Sequence, residues 1–324
     1  MDVLIVEPVD GEVVQWLQQR HPTRYAPQLE HDAPALRQAL FKARALIVPS
    51  SVALDAQALQ FAPLLRAVGR LSAGAENLDV EACTRCGIEV VRAGTASAAA
   101  EAEFAVAAML QLLRRVPVRS SEGLLVGREL GGSRVGVVGM TAAARPLAGL
   151  LKAFGAQVCG YDPAVHVSDG LWANWGIEAL GLLELVERCD VLCVLLNYFP
   201  RYRGLLGERF LGACRNQQVV VNLGHSSLFD EAALADALDG GRMAAAWFDS
   251  LEPGLLDFGR PLRAVRNLQV TPRVACTTRE SRLRSAWTVA RRIDEILCDA
   301  PSRAAFRSSM QDAPLDLEAG RASA

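Results

Sequence analysis

A glycine-led loop between a predicted strand and a predicted helix is the first place where the sequence could do chemistry. Arg134–Gly139 is predicted as a strand and Pro146–Phe154 as a helix, and the loop between them reads Gly-Met-Thr-Ala-Ala-Ala-Arg-Pro. Backbone N–H groups at such a helix N-terminus bind the phosphates of a dinucleotide. The first glycine of the G-x-G-x-x-G fingerprint makes the turn. The loop therefore indicates a dinucleotide site with Gly139 as its turn residue.

The same loop departs from the fingerprint at two positions. Ala144 replaces the third glycine, which the fingerprint tolerates, but Thr141 places a β-branched side chain where the pyrophosphate approaches. If Thr141 capped the helix, Pro146 would be its fifth residue and would clash with the carbonyl of Ala142. The helix is therefore expected to begin later, which would withdraw N-terminal amides from the phosphates.

Asp162 ends the next predicted strand, Gln157–Tyr161, 23 residues after Gly139. An acidic residue at this distance binds the ribose 2′-hydroxyl and favours NAD over NADP. The alternative is that Asp162 is a turn residue before Pro163, and the sequence supports the two interpretations about equally. Both interpretations stay open at the level of sequence.

Eight cysteines are scattered along the chain, and Cys83-Thr-Arg-Cys86 forms a C-x-x-C motif. The motif has no second cysteine pair and no histidine nearby, which is typical of structural thiols rather than a metal or redox centre. No metal site is predicted.

Short apolar runs that alternate with amphipathic helices must position these residues. This alternation predicts an α/β fold with doubly wound parallel sheets. Ala98–Arg114 is predicted as a long buried helix and Arg279–Cys298 as a final helix rich in arginine. The predicted strands are Val3–Val6, Ala45–Val48, Leu65–Val68, Ile88–Val91, Arg134–Gly139, Gln157–Tyr161, Asp190–Leu196, Gln218–Asn222, Ala244–Phe248 and Leu268–Thr271.

Composition excludes several classes of protein. The chain has 324 residues, 51% of them hydrophobic, which excludes a disordered chain and favours two domains. The net charge of −2 gives no bulk attraction to nucleic acid or to an anionic membrane. No apolar run is long enough to span a membrane, and no secretory signal is visible. Together with the unpaired cysteines, these features predict a cytoplasmic protein.

Several stretches together resemble the D-isomer-specific 2-hydroxyacid dehydrogenases, the family of phosphoglycerate, glycerate and formate dehydrogenases. The resemblance covers about residues 45–300. It rests on the stretches Ala67–Asp79, Gly136–Gly139, Gly160–Pro163, Arg203–Gly207, Val221–Asn222, Phe229–Leu238, Glu252–Pro253 and Thr271–Pro272.

The resemblance implies two Rossmann-like or flavodoxin-like domains with a substrate cleft between them. Residues 1–98 and 276–310 would form the substrate domain, and residues 99–275 the dinucleotide-binding domain. Residues 311–324, which are polar and rich in small residues, are predicted to form a loose tail. A homodimer through the dinucleotide-binding domain is expected.

The resemblance also assigns a catalytic set, in which two residue types are exchanged. The family's arginine position is occupied by His225, its histidine position by Arg273, and its glutamate position by Glu252 in a loop two residues shorter than usual. Arginine cannot release its proton in a protein, so only His225 is suited to acid–base chemistry. Because the family's glutamate faces position 273, a Glu252–Arg273 pair would leave His225 without an orienting carboxylate.

Further positions carry expected ligand contacts. The resemblance implies that the backbone amides of the small-residue loop at Ser72, Ala73 and Gly74 hold an anionic substrate. Ser97 matches a family asparagine at the domain junction. Asp249 matches the family aspartate beside the nicotinamide amide, which favours a retained cofactor.

Two functions follow from these assignments. The first is an NAD-dependent oxidoreductase that acts on a small 2-hydroxy or 2-keto acid, with Arg273 holding the carboxylate and His225 moving the proton. The alternative is a family member without dehydrogenase activity, either a binding or regulatory protein or an enzyme of changed chemistry that has lost normal NAD binding.

Overall fold

The computed structural model describes residues 1–72, 74 and 77–299, and within this range the chain forms two compact units. The first unit consists of Met1–Arg92 and the chain from Trp287 onward, and the second of Ala93–Ala286. Ala73 and the predicted tail at 311–324 lie outside the described residues.

The described part of the first unit contains a five-stranded parallel sheet in the order β2-β1-β3-β4-β5. Its inner strands are apolar and buried on both faces, as parallel strands covered by helices must be. The strands are β1 Val3–Ile5, β2 Thr23–Tyr25, β3 Ala45–Ile47, β4 Ala67–Arg70 and β5 Glu89–Arg92. Its helices are α1 Gly11–Gln18, α2 Ala33–Leu40, α3 Ala56–Leu59 and α4 Val80–Arg85.

The second unit contains a larger parallel sheet, whose seven described strands run β10-β9-β8-β11-β12-β13-β14. Strand order reverses between β8 and β11, and ligands of doubly wound sheets bind at the carboxyl ends of strands at this point. The strands are β8 Arg134–Val138, β9 Gln157–Tyr161, β10 Glu178–Ala179, β11 Val191–Val194, β12 Val219–Asn222, β13 Ala245–Phe248 and β14 Leu268–Val270. An antiparallel hairpin, β6 Val118–Arg119 with β7 Leu125–Val126, precedes them.

Neighbouring residues of a strand point to opposite faces of the sheet, and helices cover both faces. Val137 packs into the cluster that contains α5 and α6, whereas Val138 packs into the cluster that contains α8 and α10. The helices of the unit are α5 Ala98–Arg115, α6 Ala144–Ala153, α7 Gly170–Trp175, α8 Leu182–Arg188, α9 Glu208–Gly212 and α10 Glu231–Asp239.

The last helix, α11 Arg279–Cys298, belongs to the first unit from Trp287 onward. It packs against β4, where a side-chain carbon at Gly69 would overlap Val289 and press on Ile293. Glycine at position 69 therefore lets the helix lie close to the sheet.

The predicted α/β fold with parallel sheets is confirmed. The described helices include none with the length and apolar character needed to cross a bilayer. Within the C-x-x-C motif, burial raises the pKa of the Cys83 thiol to about 11, while Cys86 is exposed. A thiol with so high a pKa stays protonated at neutral pH, which is consistent with a structural role.

Candidate active site

The loop after β8 turns sharply at Gly139, which has a φ of 102°. A side-chain carbon at this position would collide with the backbone of Leu196, just beyond the end of β11. Only glycine satisfies both the left-handed conformation and this close approach. The predicted turn residue is therefore required by the fold itself.

Helix α6 begins at Ala144, later than a helix capped by Thr141 would begin. A turn comes first, in which the amide of Ala144 donates to the carbonyl of Thr141 at 3.0 Å. Pro146 is thus the third helical residue, where a missing N–H costs nothing because the first turn has no intrahelical acceptors. The late helix start that Pro146 predicts is confirmed.

This loop leaves polar groups without partners. Within the described residues, the amides of Thr141, Ala142 and Ala143 make no hydrogen bond, and the buried hydroxyl of Thr141 has no partner either. A buried hydroxyl without a partner costs about 1–3 kcal/mol. An anion at the N-terminus of α6 would offer acceptors to these donors.

Asp162 ties this loop to the end of β9. One carboxylate oxygen accepts from the amide of Met140 and the other from the amide of Ala164, both at 2.7 Å. The second bond closes the turn at Pro163, so the turn interpretation of Asp162 is observed. Each oxygen retains acceptor capacity, and contact with a ribose stays a prediction.

An apolar cavity of about 420 Å³ begins at Tyr161, next to Asp162. Its wall also includes the apolar side chains of Leu182, Leu183, Leu205 and Phe210 and the charged residues Glu184 and Arg209. Burial raises the pKa of the Tyr161 hydroxyl, which therefore stays protonated at neutral pH.

His225 lies three residues beyond β12 and caps a short 3-10 helix, Ser226–Leu228. Its Nδ1 accepts a hydrogen bond from the amide of Ser227 at 3.2 Å, so the proton of the neutral ring resides on Nε2. Tyr198 stacks on the ring with centroids 4.7 Å apart, and the wholly buried Asn222 bonds both backbone groups of Gly224. The imidazole is therefore fixed in tautomer and in orientation.

Glu252 lies beside His225, with its Oε1 4.0 Å from Nε2 of the ring. Its Oε2 accepts from the hydroxyl of Ser227 at 2.6 Å, and its amide donates to the hydroxyl of Ser226 at 3.0 Å. In the described chain Glu252 makes no ion pair with Arg273, so the expected Glu252–Arg273 pair is replaced by a Glu252–His225 pair. The two serines were not predicted as site residues, although two hydroxyls directly after His225 were a usable signal.

Arg273 follows β14 in a left-handed conformation, with a φ of 57° that is rare for a residue other than glycine. Its amide donates to the carbonyls of Asp249, at 2.6 Å, and Thr271, at 3.1 Å. The side chain is exposed, and no ion pair to its guanidinium occurs in the part of the chain that the structure describes. Strained backbone of this kind is concentrated at functional sites.

Asp249 holds the loop that carries Arg273. It is 4% exposed, and its carboxylate accepts from the Thr271 hydroxyl at 2.7 Å and from the amides of Val274 and Ala275 at 3.0 and 2.9 Å. The partners in these three hydrogen bonds are all residues of the protein itself. Its predicted contact with a cofactor amide stays a prediction, while its observed role is to position the Arg273 loop.

A cavity of about 490 Å³ opens beside the turn after β12, with Ser226, Ser227 and Glu252 in its wall. The lining contains two arginines, Arg203 and Arg260, and three acidic residues, Asp230, Glu231 and Glu252; Arg260 is ion-paired with Glu231. The volume is in the range of small-molecule pockets.

In the first unit, the predicted substrate loop is organised by the buried side chain of Arg70. Its guanidinium donates to the hydroxyl of Ser72 at 2.9 Å and to the carbonyls of Val48 and Gly74 at 3.3 and 3.5 Å. Ala73 lies outside the described residues.

Ser97 belongs to the second unit and stands directly before α5. Its hydroxyl donates to Glu101 at 2.7 Å rather than capping the helix backbone. Roles of Ser72, Ala73, Gly74 and Ser97 in substrate binding stay predictions.

Comparison with known proteins matches residues 106–275 to the family described as D-isomer specific 2-hydroxyacid dehydrogenase, NAD binding domain. D-3-phosphoglycerate dehydrogenase of Mycobacterium tuberculosis is 34% identical over 298 residues, which are 89% of this chain but 55% of that enzyme. The chain thus spans about half the length of the first curated relatives it matches. (S)-sulfolactate dehydrogenase of Chromohalobacter salexigens is 30% identical, with 88% of this chain and 95% of that enzyme covered.

Among solved structures, a protein from Thermus thermophilus is similar with a TM-score of 0.75 and 25% identity. The match covers 92% of this chain and 97% of that one. A glyoxylate reductase from Paecilomyes thermophila has the same fold, with a TM-score of 0.74 at 21% identity and coverage of 90% of this chain and 93% of that one.

Proposed function

Because this chain belongs to the D-isomer specific 2-hydroxyacid dehydrogenase family, we propose that it interconverts a small 2-hydroxy acid and its 2-keto acid, with NAD as hydride carrier. The observation that carries this proposal is the approach of Glu252, in the loop after β13, to His225, in the turn after β12, at 4.0 Å. This approach places a carboxylate beside an acid–base group, although the resemblance puts an arginine at the family's histidine position.

His225 moves the proton through Nε2. Since Nδ1 accepts from the Ser227 amide, Nε2 is the ring atom that donates. The 4.0 Å separation from Glu252 is too long for a hydrogen bond, which leaves the Nε2 proton for a substrate oxygen. During reduction the ring acts as the imidazolium: Nε2 gives its proton to the C2 oxygen, and the neutral ring that remains carries its proton on Nδ1. During oxidation this neutral ring takes the hydroxyl proton at Nε2. The bond from the Ser227 amide to Nδ1 must open whenever Nδ1 is protonated. The carboxylate of Glu252 stabilises the charged ring.

Arg273 grips the substrate carboxylate. Its guanidinium is permanently charged and presents two parallel N–H donors that match a carboxylate. The side chain is exposed, and the Asp249 bonds hold the strained loop beneath it. A loop fixed in this way positions the guanidinium before substrate arrives, which lowers the entropy lost on binding.

The loop after β8 fits a dinucleotide. The amides of Thr141 to Ala143 would hold the phosphates, and the carboxylate of Asp162 would bind the ribose and disfavour a 2′-phosphate. The apolar cavity beginning at Tyr161 suits a flat base. When bound, the nicotinamide supplies or accepts the hydride.

Under this proposal the two compact units have different binding roles, as the sequence predicts. We assign dinucleotide binding to the second unit, and we expect the loop at Ser72–Gly74 in the first unit to bind an anion through its backbone amides. A homodimer is part of this proposal, because the family assembles in that way.

Calorimetric titration with NADH and NADPH, followed by a screen of 2-keto acids, tests the proposal. We expect micromolar NADH binding, weaker NADPH binding, and oxidation of NADH by at least one keto acid. If the chain binds neither nucleotide while Thr141→Gly does, the cofactor site has been lost at this loop. That result would favour the family member without dehydrogenase activity.

A further inference from the structure

Three side chains with metal-binding atoms converge in the first unit. Nε2 of His21 lies 2.7 Å from Oδ1 of Asp294, and Sγ of Cys298 lies 3.8 Å from the same oxygen. All three ligand atoms lie within 4.8 Å of one another. Among the described residues, no other group of three or more histidine, cysteine, aspartate or glutamate side chains brings its ligand atoms this close together.

The fold fixes all three donors from two directions. His21 is 8% exposed and follows α1, where its amide donates to Leu17 at 2.8 Å and its carbonyl accepts from the Thr23 hydroxyl at 2.8 Å. Asp294 and Cys298 are four residues apart on α11, so their side chains lie on one face of the helix. Because His21 and Asp294 are 273 residues apart, no motif spacing reveals the cluster.

We propose that His21, Asp294 and Cys298 bind a divalent transition-metal ion, with zinc as the best match. Imidazole nitrogen, carboxylate oxygen and thiolate sulfur are the three donor types that zinc takes in proteins. Tetrahedral zinc places such donors about 3.3–3.6 Å apart. The sulfur–oxygen distance of 3.8 Å is already close to this value, and the histidine–aspartate pair must open by about 0.6 Å.

Metal binding would change the protonation of two of the ligands. The Cys298 thiol releases its proton to solvent as the thiolate–metal bond forms. The proton that Nε2 of His21 donates to Asp294 exchanges through solvent to Nδ1, so the ring stays neutral and ligates through Nε2. With three protein donors, water completes the tetrahedron.

The two oxygens of Asp294 have different partners. Arg20 lies 3.8 Å from Oδ2 and stacks on Trp16 at 4.1 Å, while Oδ1 accepts from Nε2 of His21, a bond that the metal would replace. A metal on Oδ1 would therefore join the end of α1 to the last turn of α11 without displacing Arg20.

Cobalt(II) titration of the full chain, freed of metal with a chelator, tests the site. Tetrahedral cobalt–thiolate centres absorb strongly, so we expect a charge-transfer band that saturates at one equivalent and disappears when zinc is added. Cys298→Ser should abolish the band, whereas Cys276→Ser, a change at another exposed cysteine, should leave it unchanged. Asp294→Asn should weaken zinc binding by about tenfold or more.

A second readout does not depend on colour. Zinc should protect Cys298, but not Cys276, from alkylation as measured by peptide mass spectrometry. The proposal is overturned if the wild type shows no thiolate band, if Cys298→Ser retains it, or if zinc leaves the alkylation of Cys298 unchanged. Far-ultraviolet circular dichroism of each variant establishes that it has folded.

Discussion

Two loops at the carboxyl edge of the seven-stranded sheet differ in how far their polar groups are satisfied. His225, Ser226 and Ser227 in the turn after β12 are partnered with one another or with Glu252 in the loop after β13. In the loop after β8, the hydroxyl of Thr141 and the amides of Thr141, Ala142 and Ala143 have no partner within the described chain.

The difference separates two states of a polar loop. At His225 the side chain is held by the Ser227 amide and by Tyr198. At Thr141 the unpaired donors would be satisfied only when an anion supplies acceptors. Under the proposed function, the proton-transferring turn is therefore ordered before substrate binds, whereas nucleotide binding depends on the Thr141 loop.

The largest expected effect comes from His225→Asn. Loss of the proton-transferring group should lower kcat for keto-acid reduction by about 10²–10⁴-fold. The affinity for NADH, measured by calorimetry, should stay within about twofold of wild type because the phosphate loop is untouched. An unchanged kcat would show that another group moves the proton.

Arg273→Gln should act mainly on substrate binding. A lost charged hydrogen-bond pair of about 1.5–3 kcal/mol corresponds to a rise in KM for the keto acid of about 10–150-fold. The matched control is Arg279→Gln, which removes another exposed arginine near the start of α11. An equal rise in KM in the two variants would attribute the effect to the loss of positive charge in general rather than to a specific contact between Arg273 and the substrate carboxylate.

Thr141→Gly should tighten NADH binding by about tenfold, or 1.4 kcal/mol, because it removes the β-branched side chain where the pyrophosphate approaches. Ala142→Gly is the control, since it adds similar backbone freedom one residue away. If both variants bind NADH equally well, loop flexibility rather than the threonine side chain limits affinity.

The smallest expected effect is thermal. Thr141→Val keeps the shape of the side chain and removes the unpaired buried hydroxyl, so it should stabilise the nucleotide-free protein by about 1 kcal/mol. That corresponds to a rise in Tm of about 2–4 °C. A lower Tm would indicate that the hydroxyl has a partner in solution.

Periodicity of apolar residues predicted most of the fold, and it failed where strands are short or exposed. The bounds of α11 were predicted as observed, and the inner strands of both sheets to within one or two residues at most ends. β2 was missed because Thr-Arg-Tyr on a sheet edge carries no apolar alternation. β10 and the hairpin strands are two residues each, too short for any period.

Site residues followed from motif spacing, but their pairing did not. Positions 225, 252 and 273 came from the resemblance, whereas the partner of Glu252 depends on how its short loop leaves β13 and on the two serines after His225. Hydrogen bonds of this kind depend on backbone direction, which spacing does not encode. The His21 cluster was missed for the same reason.

The pairing of Glu252 with His225 is tested most directly by measuring kcat for Glu252→Gln in three backgrounds. In wild type, the loss of the charge beside His225 should cost about tenfold to a hundredfold. The same loss should appear in Arg273→Gln and vanish in His225→Asn, because only residues that act together are non-additive. If the effect instead vanishes in Arg273→Gln and persists in His225→Asn, Glu252 acts through Arg273 and the assignment of His225 is wrong.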